Sequence, residues 1–406
     1  MSISSLLEEI MRLPVIDTHT HLIGDKLCAA DFWEIADYFW LNQELQTAGY
    51  PKDAAQLPVP ERVEAFVRAY KATRNTMMNR AFTAIMRDLY GITIHDAASV
   101  LQADEAVRAQ RSATGWAQSV ADRLHAKRFV VNRPEHAIFD GMREDALLLP
   151  RIDGWLPELA AGIVSSAAHE RQDRFAQAKA FISEQLKSYH EMGCPGIMTT
   201  LPHYEAAAHE DYKLETAGRT DEVMMLLLHE ICSGLQERGM FLQLFLGVER
   251  RWGSSSAAPV NDPLRIVKLY GLFERYNIPF ELVVASELNN LDVVQAAWNF
   301  ANVHVGGMWW YNFRASTYTQ SMQYRLEALS PLKSSLIVSD ARCIEWTYGK
   351  LLIVKQLLAR FLDEQIKDEW LSREDALALA AEWLHGSAAK RYGVAESTVS
   401  SCNRDH

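Results

Sequence analysis

Apolar and polar positions change rhythm along this chain, and the changes divide it. Met1 to Ile10 predicts a helix. Leu13-Pro14-Val15-Ile16 is then an apolar run that enters Asp17-Thr18-His19-Thr20-His21-Leu22. Side chains alternate faces along a strand, so His19 and His21 are expected to point the same way. From about Ala29 to Ala126 the pattern is helix upon helix. Asp31 is an N-cap candidate for an aromatic-faced segment reaching Trp40, and Glu61 to Tyr90 continues with apolar residues at helical spacing.

From Lys127 short apolar runs alternate with helical stretches. The runs are Phe129-Val131, Ala146-Leu149, Gly196-Thr200, Phe241-Leu246, Phe280-Val284, Val303-Val305 and Ser335-Ser339, and the run before the histidines makes eight. Strands alternating with helices at this spacing predict parallel βαβ units, and eight of them predict a closed (β/α)8 barrel of the α/β class. Tyr348 to Tyr392 reads as helical and is expected to pack outside. The predicted organisation is therefore a barrel from residues 1–28 and 127–406, with a helical insertion, 29–126, covering its mouth.

Composition narrows this picture. A length of 406 residues exceeds the roughly 250 of a plain eight-fold barrel, which leaves room for the insertion. A hydrophobic share of 49% with 23% charged residues is ordinary globular usage and argues against long disorder. The formal net charge of -11 argues against a nucleic-acid or anionic-membrane partner. No window of about 18 apolar residues marks a membrane span, and the N-terminus lacks the basic and apolar regions of a secretory signal. Five scattered cysteines without a Cys-x-x-Cys indicate neither a disulfide framework nor a cysteine zinc site, so a cytoplasmic location is expected.

In such barrels chemistry sits where strands end. His19 and His21 offer two nitrogen ligands at one strand end, and Asp340, ending the eighth run, would lie beside them when the barrel closes. Two His and one carboxylate make an open site for one divalent metal ion, zinc by preference, with manganese or iron as alternatives. Alone, the His-x-His is a weak signal that more often means two hydrogen-bonded strand histidines than a metal site. A two-metal hydrolase would want a Lys ending the fourth strand and His ending the fifth and sixth. Gly196-Ile197-Met198-Thr199-Thr200, Gln243-Leu244-Phe245-Leu246 and Leu282-Val283-Val284-Ala285-Ser286 supply none.

Three stretches carry a resemblance: Val15 to Leu22, Val303-His304-Val305-Gly306-Gly307-Met308-Trp309-Trp310-Tyr311, and Ser339-Asp340-Ala341-Arg342. Through them, and along nearly its whole length, the chain resembles the uronate isomerases, a divergent branch of the amidohydrolase superfamily. That resemblance implies a distorted (β/α)8 barrel with a helical insertion after the first strand, extra C-terminal helices, and interconversion of glucuronate or galacturonate with the matching keto sugar acid. Such a reaction moves a proton from C2 to C1 through an enediolate, and it needs a base, a proton carrier and stabilisation of oxyanion charge.

A metal on His19, His21 and Asp340 would supply the last, with Asp340 or a metal-bound water as shuttle. The ionised C6 carboxylate calls for guanidinium groups. Arg342, Arg151 and one of Arg250 or Arg251 lie at strand ends where the family places such arginines. Arg151 could instead pair with Asp153, and Arg342 with Asp340. Of Trp309 and Trp310, alternation lets one face the mouth as a substrate wall; His304 reads as structural and Phe245 as wall. Where many family members carry a His-Tyr pair, this chain has Asp37-Tyr38. Tyr38 is the expected proton carrier, and an alternative register places Phe39-Trp40 opposite the histidines. The other readings are a hydrolase of a sugar-acid lactone or ester and a non-catalytic sugar-acid binder. A small acid sugar is the expected partner, in a homo-oligomer, with no nucleic acid and no membrane.

Overall fold

The computed structural model describes residues 3–111, 113–201, 214, 218–249, 258–259, 262–285, 287, 289–309 and 313–394. Helix α1 (Ile3–Arg12) buries Leu6 and Ile10, one helical turn apart. It stops before Leu13, whose successor Pro14 disfavours helical backbone. The chain then enters β1 (Val15–Asp17), which runs parallel to β2 (Ala126–Val131), itself parallel to β3 (Leu147–Leu148). A second parallel sheet holds β4 (Gly196–Leu201), β5 (Phe241–Leu246), β8 (Phe280–Val284) and β9 (Val303–Val305), in that order. Between β5 and β8 a short antiparallel pair, β6 (Val248–Glu249) and β7 (Ala258–Pro259), interrupts the alternation and was not legible as strand pattern.

Between β1 and β2 the described residues form helices and no strand: α2 (Phe32–Ala36), α3 (Phe39–Gln46), α4 (Val59–Ala72), α5 (Met77–Tyr90), α6 (Ala97–Arg111) and α7 (Trp116–Arg123). Phe32, Phe66, Tyr70 and Phe82 meet edge-to-face or stacked at their centre. Later connections carry α8 (Leu156–Ser165) and α9 (Arg171–Glu191), α10 (Thr220–Arg238), α11 (Tyr270–Arg275), α12 (Asn289–Asn299) and α13 (Ala315–Ala328). Helices over parallel sheets explain why β5 and β8 are buried along their whole length and read as continuous apolar runs. The result is a mixed α/β fold with parallel sheets. No helix among the described residues is long and apolar enough to cross a membrane.

Seven of the eight apolar runs are strands. The eighth, Ser335 to Ser339, is extended but irregular, and it lies between β9 and β1. Ser335 N donates to Val305 O at 3.0 Å and Met308 N to Leu336 O at 3.3 Å, while on the other side Thr18 N donates to Ile337 O at 3.2 Å. The two sheets are joined at their other edges, where Ile152 N donates to Met198 O and Met198 N to Pro150 O, at 3.0 and 2.9 Å. The Gly306-Gly307 pair is explained by this close packing: a Cβ on Gly307 would lie 2.6 Å from the carbonyl carbon of Ile337.

Ile16, Val130, Leu149, Met198, Phe245, Val283 and Val338, one from each of seven runs, form a core cluster of their own. Ala388, Ala389 and Tyr392 of α16 (Ser387–Tyr392) belong to it, so the end of the C-terminal segment is not external as expected. Glu281, fully buried on β8, gives the reason, because a buried carboxylate needs a cation and donors. Glu281 Oε2 accepts from Arg391 Nε at 3.1 Å and from Tyr392 OH at 2.9 Å, and Gln243 Nε2 of β5 donates to Tyr392 OH at 2.9 Å. The preceding helices α14 (Ile344–Lys367) and α15 (Arg373–Ala381) pack against α1, and α14 also against α5. On α14, buried Lys355 donates to the carbonyls of Met11 at 3.0 Å and of Leu13 and Leu124 at 2.8 Å, tying together the approaches to β1 and β2.

Candidate metal centre and substrate cavity

The two histidines lie just past β1 rather than on it. Their backbone nevertheless stays extended because it is bonded on both sides: Thr20 N donates to Val130 O at 2.9 Å, and His21 N to Ala341 O at 2.7 Å. Alternation therefore persists, and both rings turn to Asp340. His19 Nε2 is 3.4 Å and His21 Nε2 3.1 Å from Asp340 Oδ1, and the three potential ligand atoms lie within 4.8 Å of one another. His19 is buried, its ring 4.5 Å from that of Phe245 and tilted against it, while His21 has 38% of its side chain exposed.

Burial pushes His19 down to about 4, so its imidazole is neutral near pH 7. Burial alone would raise Asp340, but the charge of His21 and hydrogen bonds from both histidines outweigh it and hold the carboxyl well below its ordinary range. Two imidazole nitrogens and a carboxylate oxygen so close together repel one another unless a cation or a shared proton sits among them, and the donor set fits a divalent metal ion.

Asp340 is the backbone exception of the site. Its φ of 53° lies in the left-handed region, which a non-glycine residue enters at a cost. Neighbouring groups hold it there. Asp340 N donates to His19 O at 3.0 Å, and Ser339 N donates to Asp17 Oδ1 at 2.9 Å. Tyr38 OH donates to the Asp340 carbonyl at 2.7 Å; Lys350 Nζ donates to Tyr38 OH at 2.7 Å and also to the Ser339 carbonyl. The carboxylate is fixed separately, Trp40 Nε1 donating to Oδ2 at 3.1 Å. Burial raises the Asp17 carboxyl to about 6.

The alternative register thus places Trp40, not Tyr38, against the Asp340 carboxylate. Tyr38 is buried, its ring stacked 4.5 Å from Trp346, and its hydroxyl meets backbone rather than the acid group. Asp37 pairs with Arg62 and does not stand in for a site histidine.

A cavity of about 1670 Å³ opens beside the histidines, lined by His21, Arg133, Arg151, Asp153, Arg219 and Arg342 among others. Arg342 is exposed at its wall, and no described acid pairs with it. Arg151 also lines the cavity, but it is tied down: Nε donates to Asp153 Oδ2 at 2.7 Å and Nη2 to Thr200 Oγ1 at 3.1 Å. Asp153 Oδ1 in turn accepts from Thr199 Oγ1 and Thr200 N. Trp309 is not among the lining residues. It packs edge-on against Phe245 at 4.8 Å, behind His19. Arg250, Arg251 and Trp310 lie outside the described residues.

Sequence reasoning missed Arg133 and Arg219 in the lining, and Asp17 and Lys350 beneath Asp340. Arg133 follows β2 as Arg151 follows β3, so the strand-end criterion that singled out Arg151 would have reached it. Lys350 sits inside a helix, and nothing in its local sequence marks it.

No family model matches the chain, and no curated protein matches it by sequence. Solved structures match it almost end to end. A uronate isomerase from Thermotoga maritima superposes with a TM-score of 0.79 at 14% identity, over 96% of this chain and 97% of that one. A glucuronate isomerase from Caulobacter crescentus gives 0.79 at 14% identity, over 96% and 93%. A uronate isomerase from Bacillus halodurans C-125 gives 0.75 at 16% identity, over 97% of both chains. At these identities the likeness speaks for architecture, and on that basis this chain has the fold of the uronate isomerases.

Proposed function

We propose that this chain is a metal-dependent aldose-ketose isomerase that interconverts a uronate, D-glucuronate or D-galacturonate, with its keto form. In this reading the eight extended runs close as a distorted (β/α)8 barrel, and residues 29–126 cover its mouth. The convergence of His19, His21 and Asp340 beside an arginine-bearing cavity carries the proposal. The fold likeness supports it.

His19 Nε2, His21 Nε2 and one Asp340 oxygen would hold the ion, zinc by preference and manganese or iron as alternatives. When bound, such an ion supplies positive charge for developing oxyanions. The chain's own residues do the rest. Arg342 takes the substrate carboxylate as a charge-assisted pair, and Arg151, its guanidinium already oriented by Asp153 and Thr200, gives direction to the cavity wall. Phe245 and Trp309 keep water from the buried face of His19. Asp340, with Oδ2 steadied by Trp40, is the group placed to move the proton between C2 and C1. The working protein is expected to be a cytoplasmic homo-oligomer.

Incubating metal-loaded protein with glucuronate or galacturonate in deuterated water tests the reading. Enediolate chemistry incorporates deuterium into the sugar carbon chain. Hydrolysis of a sugar-acid lactone without such incorporation would instead identify a hydrolase, and saturable uronate binding with neither reaction a binding protein.

Arg342→Met is expected to raise KM for the uronate about tenfold, the loss of one charge-assisted contact, with a smaller effect on kcat. Steady-state kinetics with the uronate and with a neutral sugar check this. An equal effect on both would remove Arg342 from carboxylate recognition.

A further inference from the structure

We infer that Tyr38 and Lys350 are positioning residues for the metal centre: together they hold the Asp340 backbone in the conformation that presents its carboxylate to His19 and His21. The inference rests on the metal-binding reading above but not on the identity of the substrate.

Asp340 has to turn sharply, because its backbone N–H is spent on His19 O while its side chain must reach both imidazoles across the same gap. The left-handed φ accomplishes this, and such a conformation persists only where surroundings over-determine it. Lys350 Nζ, at the second turn of α14, reaches both the Ser339 carbonyl and the Tyr38 hydroxyl, and that hydroxyl donates onward to the Asp340 carbonyl. Two consecutive carbonyls, on either side of the Asp340 N–Cα bond, are therefore anchored by one ammonium group, one directly and one through a phenol.

The phenol is held at both ends of this chain of bonds. Its single proton goes to the Asp340 carbonyl, its oxygen accepts from Lys350, and its ring is clamped against Trp346. Tyr38 does not line the cavity, whereas His21 and Arg342 do. A group so engaged orients the ligand-bearing residue; it does not carry the substrate proton.

The test compares wild type, Tyr38→Phe, Lys350→Met and the double variant, each stripped of metal and titrated with cobalt(II) by calorimetry and visible absorption. Thermal unfolding monitors the fold, and Tyr38→Phe keeps the ring on Trp346. Outer-sphere partners of metal ligands typically matter by ten- to a hundredfold, so each single variant is expected to bind cobalt at least about tenfold more weakly, with a changed ligand-field spectrum. The double variant is expected to be little worse than the worse single one, because both act through one chain of bonds.

Wild-type cobalt affinity and spectrum in Tyr38→Phe would overturn the inference; if turnover fell at the same time, Tyr38 would be the proton carrier after all. Independent, multiplicative losses in the double variant would also overturn the shared relay. Should Lys350→Met fail to fold, Tyr38→Phe alone decides. A wild-type chain that binds no cobalt would instead sink the metal reading beneath this one, an outcome separable from either.

Discussion

Asp340→Asn is expected to lower uronate turnover at least about a hundredfold, the lower end of what positioned acid-base groups contribute. The substitution preserves side-chain shape and keeps an amide oxygen that Trp40 could still bond. What it removes is the negative charge on which His19 and His21 converge at 3.4 and 3.1 Å. Both consequences act in the same direction. The ligand set loses its single carboxylate, weakening metal binding, and the proposed proton shuttle loses its basicity. Measuring cobalt affinity alongside kcat separates the two, since excess metal rescues the first and not the second. Full activity in this variant would take Asp340 out of the mechanism.

Lys355→Met should lower the unfolding free energy by about 3 kcal/mol. The ammonium group is fully buried and serves three carbonyls at the ends of α1 and α7. Methionine fills similar space but donates nothing, and each desolvated carbonyl left without a donor costs ~1–3 kcal/mol. Relief from burying a charge offsets part of that sum, the same desolvation that pushes Lys355 down to about 7. Urea unfolding monitored by tryptophan fluorescence gives the difference. A variant as stable as wild type would mean that water replaces the ammonium at these carbonyls. The loss should also reach the site, because Leu13 leads directly into β1 and so into His19.

Elements set by local pattern were legible in the sequence, and elements set by long-range contact were not. Alternating apolar runs marked β2, β4, β5, β8 and β9, since burial between helices leaves a local signature. His19, His21 and Asp340 were legible because metal ligands are drawn from few residue types and these stand at run ends. The eighth run could not be read as irregular, because its shape follows from long-range packing: Gly307 of another segment lies against Ile337 and Val338, and Asp340 beyond them turns into the left-handed region. Tyr38 and Trp40 are two residues apart, and only the contacts that Ile35 and Tyr38 make with Trp346 and Lys350 of α14 decide which one reaches the carboxylate. Arg151 illustrates a further limit. Its presence at a strand end and a pairing with Asp153 were both visible as options, but that the pair forms while Arg151 still lines the cavity depends on how the loop closes.

The buried link from Glu281 to Arg391 and Tyr392 bears on the order in which this chain acquires its shape. The central cluster draws on β1 near one end of the sequence and on α16 near the other. Synthesis delivers β1 first and α16 much later, so a nascent chain that has not yet made α16 cannot complete this cluster. Until α16 emerges, Glu281 has Ser335 as a hydrogen-bond donor but lacks the cation of Arg391, on a surface destined to be dry. Final consolidation of this core therefore waits on contacts between segments far apart in sequence, whose loop-closure cost has to be met before they contribute stability.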